Sequence, residues 1–395
     1  MSKPRLVYIV TDSISTRLLR GQLRHLVEDG FDVTVICSPG PELERAVREE
    51  GVRAVPVAMK RPIRPIRDLF SLVALFLALW KVRPHIVNAG TPKAALLGMI
   101  ASWILRVPVR IYIVRGLRGE TATGLTRRIL GWTERISSFC ATHILFVSKS
   151  LREVYLELGL GPARKAVVLL EGSSKGVDVE RFRRTPERVE KAGELRASLG
   201  IPPKAPVIGF VGRVTRDKGA DDLVAAFLRV EEEFPEAHLM LVGRVEADDS
   251  PSAATLSTIE GHPRIHLTGM VSDVAPVYQA MNFLVLPSYR EGFPNVVLEA
   301  SSAGRATIGY RSTGVVDAVV DGETGVLVPT GSSSELAGAM LEYLGNPRVA
   351  EEHGVAALGR VERLFAQARV FEAVAGFYEA ALAGTSKLPA LAPDR

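Results

Sequence analysis

The feature that most constrains this chain is an alternation, run through twice, of short apolar β-branched stretches with longer amphipathic ones. In the first half the strand-like stretches fall at residues 6–10, 33–37, 54–58, 85–88, 109–114, 144–147 and 166–170. Each is almost continuously apolar rather than alternating, which is what a strand covered by helices on both faces of a parallel sheet requires. A doubly wound, Rossmann-like domain is predicted. The alternation is then broken by Arg181-Phe-Arg-Arg-Thr-Pro-Glu-Arg188 and Ile201-Pro-Pro-Lys-Ala-Pro206, whose charge and proline content read as a linker. It resumes at 207–211, 238–242, 265–268, 283–287, 306–310 and 325–328, predicting a second domain of the same α/β class. Helical patterns at 332–344 and 369–382 follow, and no repeat of solenoid period occurs. The expected division is an amino-terminal domain at 1–182, a linker at 183–205, a second domain at 206–365, a helix at 366–385 returning to the first domain, and a flexible tail at 386–395. Open parallel sheets bind ligands outside the carboxyl ends of their strands. Two such domains are therefore expected to face each other across a cleft that holds the active site.

Composition limits the classes of function. The 395 residues are 47% hydrophobic and 24% charged, as in a globular protein of two or three domains. Cys37 and Cys140 lie far apart in apolar runs and read as small core residues, so a disulfide framework is not expected and a reducing compartment is. The segment from Met1 to Val10 lacks the apolar core and cleavage site of a signal peptide, and secretion is not expected. The apolar run at 69–80 is shorter than the roughly 20 residues a spanning helix needs and reads as a buried helix of the fold. Between Lys60 and Arg128, thirteen Lys or Arg face only Asp68 and Glu120. That imbalance fits an anionic membrane, a diphosphate-bearing substrate or nucleic acid, and equally a set of solvated side chains.

Two segments carry chemistry. From Phe283 to Gly304 the pattern runs from strand to loop to helix, with Pro294 suited to the first helical position. Amides at such a helix start favour an anionic or hydroxyl-rich ligand. Glu291 falls in the loop and Glu299 one to two turns into the helix, so the two carboxylates can meet different parts of one extended ligand. The plain alternative is a pair of solvated glutamates. In Val207-Ile-Gly-Phe-Val-Gly-Arg-Val-Thr-Arg-Asp-Lys-Gly219, a strand ends at Gly212, and Arg213 and Lys218 lie in the loop before a helix. Two fixed cations there form a diphosphate clamp, although a structural Arg–carboxylate pair fits Arg213 as well. The pattern is not that of a Walker loop.

Together, at this spacing, these segments resemble glycosyltransferase family 4, whose members have the GT-B fold. The resemblance covers nearly the whole chain, and Glu291-Gly-Phe-Pro-Asn-Val-Val-Leu-Glu299 is its most specific part. It implies Arg213, Lys218 and Glu291 as catalytic residues: the two cations on the donor diphosphate, Glu291 on hydroxyls of the transferred sugar. It implies Glu299 on the ribose and the turn Thr268-Gly-Met-Val-Ser-Asp273, with Met270 and Val271, against the nucleotide base. Gly212, Arg244, Gly292, Phe293, Pro294, Asn295 and Val296 complete the implied nucleotide-sugar site, with Gly292, Phe293 and Asn295 shaping the sugar pocket. In the first half, Leu19-Arg-Gly-Gln-Leu-Arg-His-Leu26, Cys37-Ser-Pro-Gly40, Tyr112-Ile-Val-Arg-Gly-Leu-Arg-Gly-Glu120 and Glu171-Gly-Ser-Ser-Lys-Gly-Val-Asp178 resemble the bacterial capsular, exopolysaccharide and O-antigen branch. That branch implies a polyprenyl-diphosphate-linked acceptor, an enzyme peripheral at the inner face of the cytoplasmic membrane, and a use for the basic first domain.

Where many family members carry a histidine after the fifth strand, this chain reads Val114-Arg115-Gly116. The acceptor-side candidates are therefore Gly21, Gln22, Arg115, Arg118 and Glu120, while His25 and His143 read as structural. The resemblance implies a retaining transfer by front-face attack from a UDP-sugar, without a metal or other cofactor. Two alternatives stay open: a nucleotide-sugar epimerase of the same fold and a non-catalytic nucleotide-sugar-binding protein. A nucleic-acid partner is not expected, because basic and aromatic residues are not interleaved.

Overall fold

The computed structural model describes residues 3–60, 64–117 and 119–384. The chain forms two compact units, one of the residues up to Lys175 together with those from Ala368 onward, the other Gly176–Gln367.

In the first unit, strands β1 (Arg5–Ile9), β2 (Asp32–Cys37), β3 (Arg53–Pro56), β4 (Ile86–Ala89), β5 (Val109–Val114), β6 (His143–Phe146) and β7 (Ala166–Val168) form a sheet. Among the described residues every pairing is parallel, in the order β3-β2-β1-β4-β5-β6-β7. The connecting helices are α1 (Gln22–Glu28), α2 (Pro41–Glu50), α3 (Pro65–Val82), α4 (Pro92–Ile104), α5 (Gly124–Cys140) and α6 (Lys149–Glu157). The chain steps from β1 to β3 in one direction and from β3 to β7 in the other. Right-handed crossovers therefore place α1 and α2 on one face of the sheet and α3 to α6 on the other. Strand interiors such as Leu6, Val7, Val35 and Ile111 are wholly buried. Cys37 and Cys140 are free and buried, and burial pushes the Cys37 thiol up to about 12.

The run at 69–80, expected to be a buried helix, is the middle of α3, and the structure corrects that reading. Only Ser71, Leu75, Ala78 and Leu79 turn inward, while Leu69, Phe70, Val73, Leu77 and Trp80 are 49–72% exposed. The helix packs on α4, and its outward side is apolar as well.

The second unit holds α7 (Val179–Phe182), α8 (Pro186–Ser198), β8 (Val207–Val211), α9 (Ala220–Glu233), β9 (His238–Val242), α10 (Ala253–Gly261), β10 (Ile265–Gly269), α11 (Ala275–Ala280) and β11 (Phe283–Leu286). After these come α12 (Asn295–Ser302), β12 (Thr307–Tyr310), α13 (Val315–Ala318), β13 (Gly325–Val328), α14 (Ser333–Gly345) and α15 (Pro347–Leu364). The parallel sheet runs β10-β9-β8-β11-β12-β13. Residues 183–205, expected as a linker, instead contain α8, which packs on α11 inside this unit. Thr185 caps its first turn through the Arg188 amide and Pro186 begins it, so the proline that suggested a linker is a helix start. The final helix, α16 (Gln367–Leu382), belongs to the first unit: Tyr378 lies 2.6 Å from the Tyr8 hydroxyl and accepts a 2.7 Å hydrogen bond from Asn88. The expected tail at 386–395 lies outside the described residues.

Candidate active site

In the second unit, β8 is followed by β9 and β10 on one side and by β11 on the other, so the order of strands reverses between β8 and β11. Ligands of open α/β sheets bind at this switch point, beyond the carboxyl ends of the strands. The loops that leave β8 and β11 there are the two singled out from sequence.

Gly212 and Gly219 bound the first loop, and both have the positive φ that glycine adopts readily, +152° and +71°. At Gly219 a side chain would lie 2.1 Å from the Pro287 carbonyl oxygen, so its absence lets this loop knit to the end of β11. The Tyr289 amide donates to the Asp217 carbonyl at 3.0 Å, completing the junction. Lys218 and Glu291, 73 positions apart, meet across it: Nζ lies 2.5 Å from Oε1, and the side chains are only 16% and 15% exposed. Arg213 binds Glu246 at 3.0 Å and approaches Asp217 at 3.5 Å, so this arginine has the carboxylate partners of the ion-pair alternative. Arg244 is two-thirds exposed, 3.8 Å from Glu246.

Asp217 gathers several of these groups. It accepts from Thr215 at 2.6 Å and pairs with Arg290 at 3.3 Å, while its amide donates to Asp249 at 3.1 Å. Burial alone would raise its carboxyl, but the hydrogen bonds from Thr215 and Asp249 and the charges of Lys218 and Arg213 hold it below the usual range. Asp249 moves the other way, raised by burial and by the adjacent Asp217. Sequence reading missed Asp217; a carboxylate inside a basic loop was the available signal.

The loop after β11 is fixed from the far side by residues 312–314. Ser312 donates to the Ser288 carbonyl at 2.6 Å, and the Glu291 amide donates to the Thr313 carbonyl at 2.9 Å. Gly314 has φ +76°, and a side chain there would lie 2.5 Å from the Gly292 oxygen. This support was also missed, since nothing local in Thr313-Gly314 indicates its neighbour. Pro294 is the residue before α12 rather than its first member, because the helix begins at Asn295. Phe293 turns inward against Phe365, with ring centroids 5.2 Å apart, and braces the loop. Gly292 is buried, and Asn295 and Val296 lie half-buried at the start of α12. Glu299, one turn on, accepts from the buried Tyr278 hydroxyl at 2.7 Å. Two buried polar atoms here lack hydrogen-bond partners: Ser288 Oγ and Asn295 Oδ1. Met270 is exposed and Val271 half-buried in the loop after β10. The loops carrying Met270, Arg244, Lys218 and Glu291 thus follow the order β10, β9, β8, β11 along one sheet edge. A cavity of about 580 Å³ lined by Arg196, Pro202, Met281, Asn282 and Arg305 lies at the opposite edge, where strands begin.

In the first unit the acceptor-side candidates divide. The Gly21 amide is held by both Glu50 oxygens at 3.0 Å, and Gln22 is buried between Tyr8 at 3.3 Å and the Ser174 carbonyl at 3.4 Å. Those contacts occupy the polar groups of both residues. Arg115 sits beyond β5 with Nε and Nη1 buried and without hydrogen-bond partners. Burial lowers its guanidinium's proton affinity, which Tyr8 and Tyr378 partly oppose, yet an arginine stays charged. Glu120 is half-buried in the following turn, and Arg118 lies outside the described residues. His25 and His143 pack edge-on or tilted against Phe371 and Phe377. Among the described residues no cluster of three metal-ligating side chains occurs.

The chain matches the family profile described as glycosyl transferases group 1 over residues 205–346, and that of a glycosyl transferase 4-like domain over residues 15–171. The capsular polysaccharide biosynthesis glycosyltransferase CapM of Staphylococcus aureus is 34% identical to it, with 96% of this chain and 97% of that one covered. The chain belongs to the group 1 glycosyltransferases. A Campylobacter jejuni relative, N,N'-diacetylbacillosaminyl-diphospho-undecaprenol alpha-1,3-N-acetylgalactosaminyltransferase, is 25% identical over 78% of this glycosyltransferase and 81% of its own length. An Escherichia coli relative, UDP-Gal:alpha-D-GlcNAc-diphosphoundecaprenol alpha-1,3-galactosyltransferase, is 27% identical over 71% of each. Among solved structures, Anabaena Alr3699/HepE in complex with UDP-glucose superposes with a TM-score of 0.79 at 17% identity, over 95% of this chain and 99% of that one. The fold of the glycosyltransferase is accordingly GT-B, built of two Rossmann-like domains.

Proposed function

We propose that this glycosyltransferase moves a sugar with retention from a UDP-sugar to a polyprenyl-diphosphate-linked acceptor, in cell-surface polysaccharide synthesis at the inner face of the cytoplasmic membrane. The observation that carries the donor half is the Lys218–Glu291 pair at the switch point of the second sheet. The activities named for the Campylobacter and Escherichia relatives support the acceptor class, and the CapM relative supports the polysaccharide.

Breaking the bond between the anomeric carbon and the diphosphate leaves positive charge on the sugar and negative charge on the departing phosphate. Lys218 and Arg213 meet the diphosphate, Arg213 exchanging Glu246 for phosphate oxygens, with Arg244 beside it. Glu291, held by Lys218, accepts from hydroxyls of the sugar. Glu299, oriented by Tyr278, accepts from the ribose, and the backbone at Met270–Val271 meets the base. Ser288 Oγ and Asn295 Oδ1, buried without partners, take further hydrogen bonds from the ligand. The departing phosphate helps to deprotonate the acceptor hydroxyl on the same face of the sugar. In the first unit Arg115 holds the acceptor's diphosphate, since two buried, unpartnered guanidinium nitrogens favour an anion. The cations act in place of a metal, so transfer is expected to persist in excess chelator.

The test is transfer from a panel of nucleotide sugars to a polyprenyl-diphosphate sugar, with the product's anomeric configuration read by NMR. An active parent with disabled Glu291→Ala and Lys218→Ala variants supports the reading. Inversion at the anomeric carbon, or free epimerised sugar formed without acceptor, overturns it.

A further inference from the structure

The outward faces of α3 and α5 carry the same pattern. On α3, Ile66, Phe70, Val73, Leu77 and Trp80 recur at spacings of four and three residues, and are 49–76% exposed. On α5, Leu125, Ile129, Trp132, Ile136 and Phe139 recur at the same spacings and are 40–72% exposed. Such spacing keeps side chains within one stripe of a helix, here about 21 Å long on each. Both helices contact α4, whose last turn adds Trp103 and Ile104, and the Trp103 and Phe139 rings lie 6.0 Å apart. Because α3, α4 and α5 cover the same face of the sheet, the stripes form one apolar surface. The chain has three tryptophans, and all three lie on it. A contiguous apolar surface of this extent on a folded domain marks an interaction site.

The charges around it select the partner. Arg67 and Lys81 on α3, Arg106 after α4, and Arg128 and Arg135 on α5 are exposed. The acidic side chains of these helices are turned to other uses: Asp68 pairs with Lys93 at 2.6 Å, and Glu134 is buried beside Tyr112. Arg127, Arg128 and Arg135 also line a recess of about 480 Å³ beside Trp132. A second copy of the chain would bring these like charges together across a two-fold axis, which is repulsive. An anionic bilayer complements them, and tryptophan is favoured at the depth of the lipid headgroups. No helix among the described residues is long and apolar enough to cross a membrane, so the face lies on one.

We infer that the joined outer faces of α3, α4 and α5 are a membrane-docking surface, which seats its aliphatic and aromatic side chains in an anionic lipid monolayer with the surrounding arginines and lysines on the phosphates. The inference deepens the lipid-linked acceptor proposed above and rests on that reading for its use, since it brings the enzyme to the layer in which such an acceptor is anchored.

The test uses the full chain with no sugar donor or acceptor, so that its outcome is independent of transfer. Flotation with phosphatidylglycerol and phosphatidylcholine vesicles is paired with tryptophan emission, which here reports on this face alone. Binding to phosphatidylglycerol with a blue shift is expected, and binding at least about tenfold weaker to phosphatidylcholine. A Phe70→Ser/Trp132→Ser/Phe139→Ser variant should lose about tenfold or more in partitioning, with its unfolding temperature and nucleotide-sugar binding retained. An Arg67→Glu/Lys81→Glu/Arg128→Glu variant, which leaves the apolar stripes intact, should lose binding to phosphatidylglycerol selectively. Failure of the parent to bind vesicles overturns the inference, as does unaltered binding by either variant. So does a dimer in sedimentation that the serine variant converts to monomer, which would assign the face to a second copy. Failed transfer in a protein that docks would instead count against the proposed function.

Discussion

Lys218 and Glu291 are each about five-sixths covered, so either one left alone is a partly desolvated charge, beside the place where the proposed reaction develops new charge. Lys218→Ala is expected to lower kcat by about a hundredfold to a thousandfold, the range for losing one preorganised stabilising group. An effect confined to KM would place the lysine in uniform binding instead. Gly314 acts through shape. Its φ of +76° and the nearby Gly292 oxygen make Gly314→Ala costly, about 1–3 kcal/mol, and a denaturation midpoint unchanged from the parent would contradict the role given to this contact. Both glutamates, Arg213 and Lys218 were legible as residues. Their distant partners were not, because Glu246 and Tyr278 reach Arg213 and Glu299 only through tertiary packing, whereas Asp217 lies four residues from Arg213 in the same loop.

At the scale of elements, β9 and β10 carry a pH-sensitive contact. His238 Nδ1 lies 2.9 Å from His266 Nε2, and burial, followed by the charges of His266, Arg264 and Arg196, lowers His238 to about 4. Above the ordinary histidine range neither state is protonated and the group contributes nothing. Between roughly pH 6.5 and 4 the unfolded chain takes up a proton that the folded one refuses, so stability falls with pH across that window. Urea midpoints measured from pH 7.5 to 4.5 should show that decline, and His238→Asn should flatten it; an equally steep decline in the variant would exclude this histidine as its source. Strands β1 to β13 were legible to within a residue or two, because buried parallel strands are apolar on both faces. The helices are less legible: composition alone reads α8 as a linker and α3 as a buried helix, and in each case a different packing satisfies the same composition.

For the whole molecule, the proposed donor site draws every residue from the second unit, so a nucleotide should protect that unit locally. With UDP present, hydrogen exchange is expected to slow in the loops at 212–219 and 287–294 and around Glu299. The unfolding temperature should rise, since a ligand held only by the folded state adds about 2.7 kcal/mol at a hundred times its Kd. Protection confined to the first unit would remove the donor assignment. Transfer measured before and after exhaustive chelation tests the metal-free proposal separately, and activity restored only by added divalent cation would refute it.

By itself the sequence determined the class of fold and the family, because periodicity and the Glu291–Glu299 motif are local patterns that survive in one dimension. It also located both cation-bearing and glutamate-bearing loops. Only the tertiary structure decided that Lys218 and Glu291 form a pair, that Arg213 already has carboxylate partners, that Phe293 faces inward, and that α3 and α5 leave apolar stripes uncovered. The physical reason is common to all four. A sequence states which side chains are apolar or charged, whereas the order of strands and the neighbours of each helix decide which of them are covered and by what.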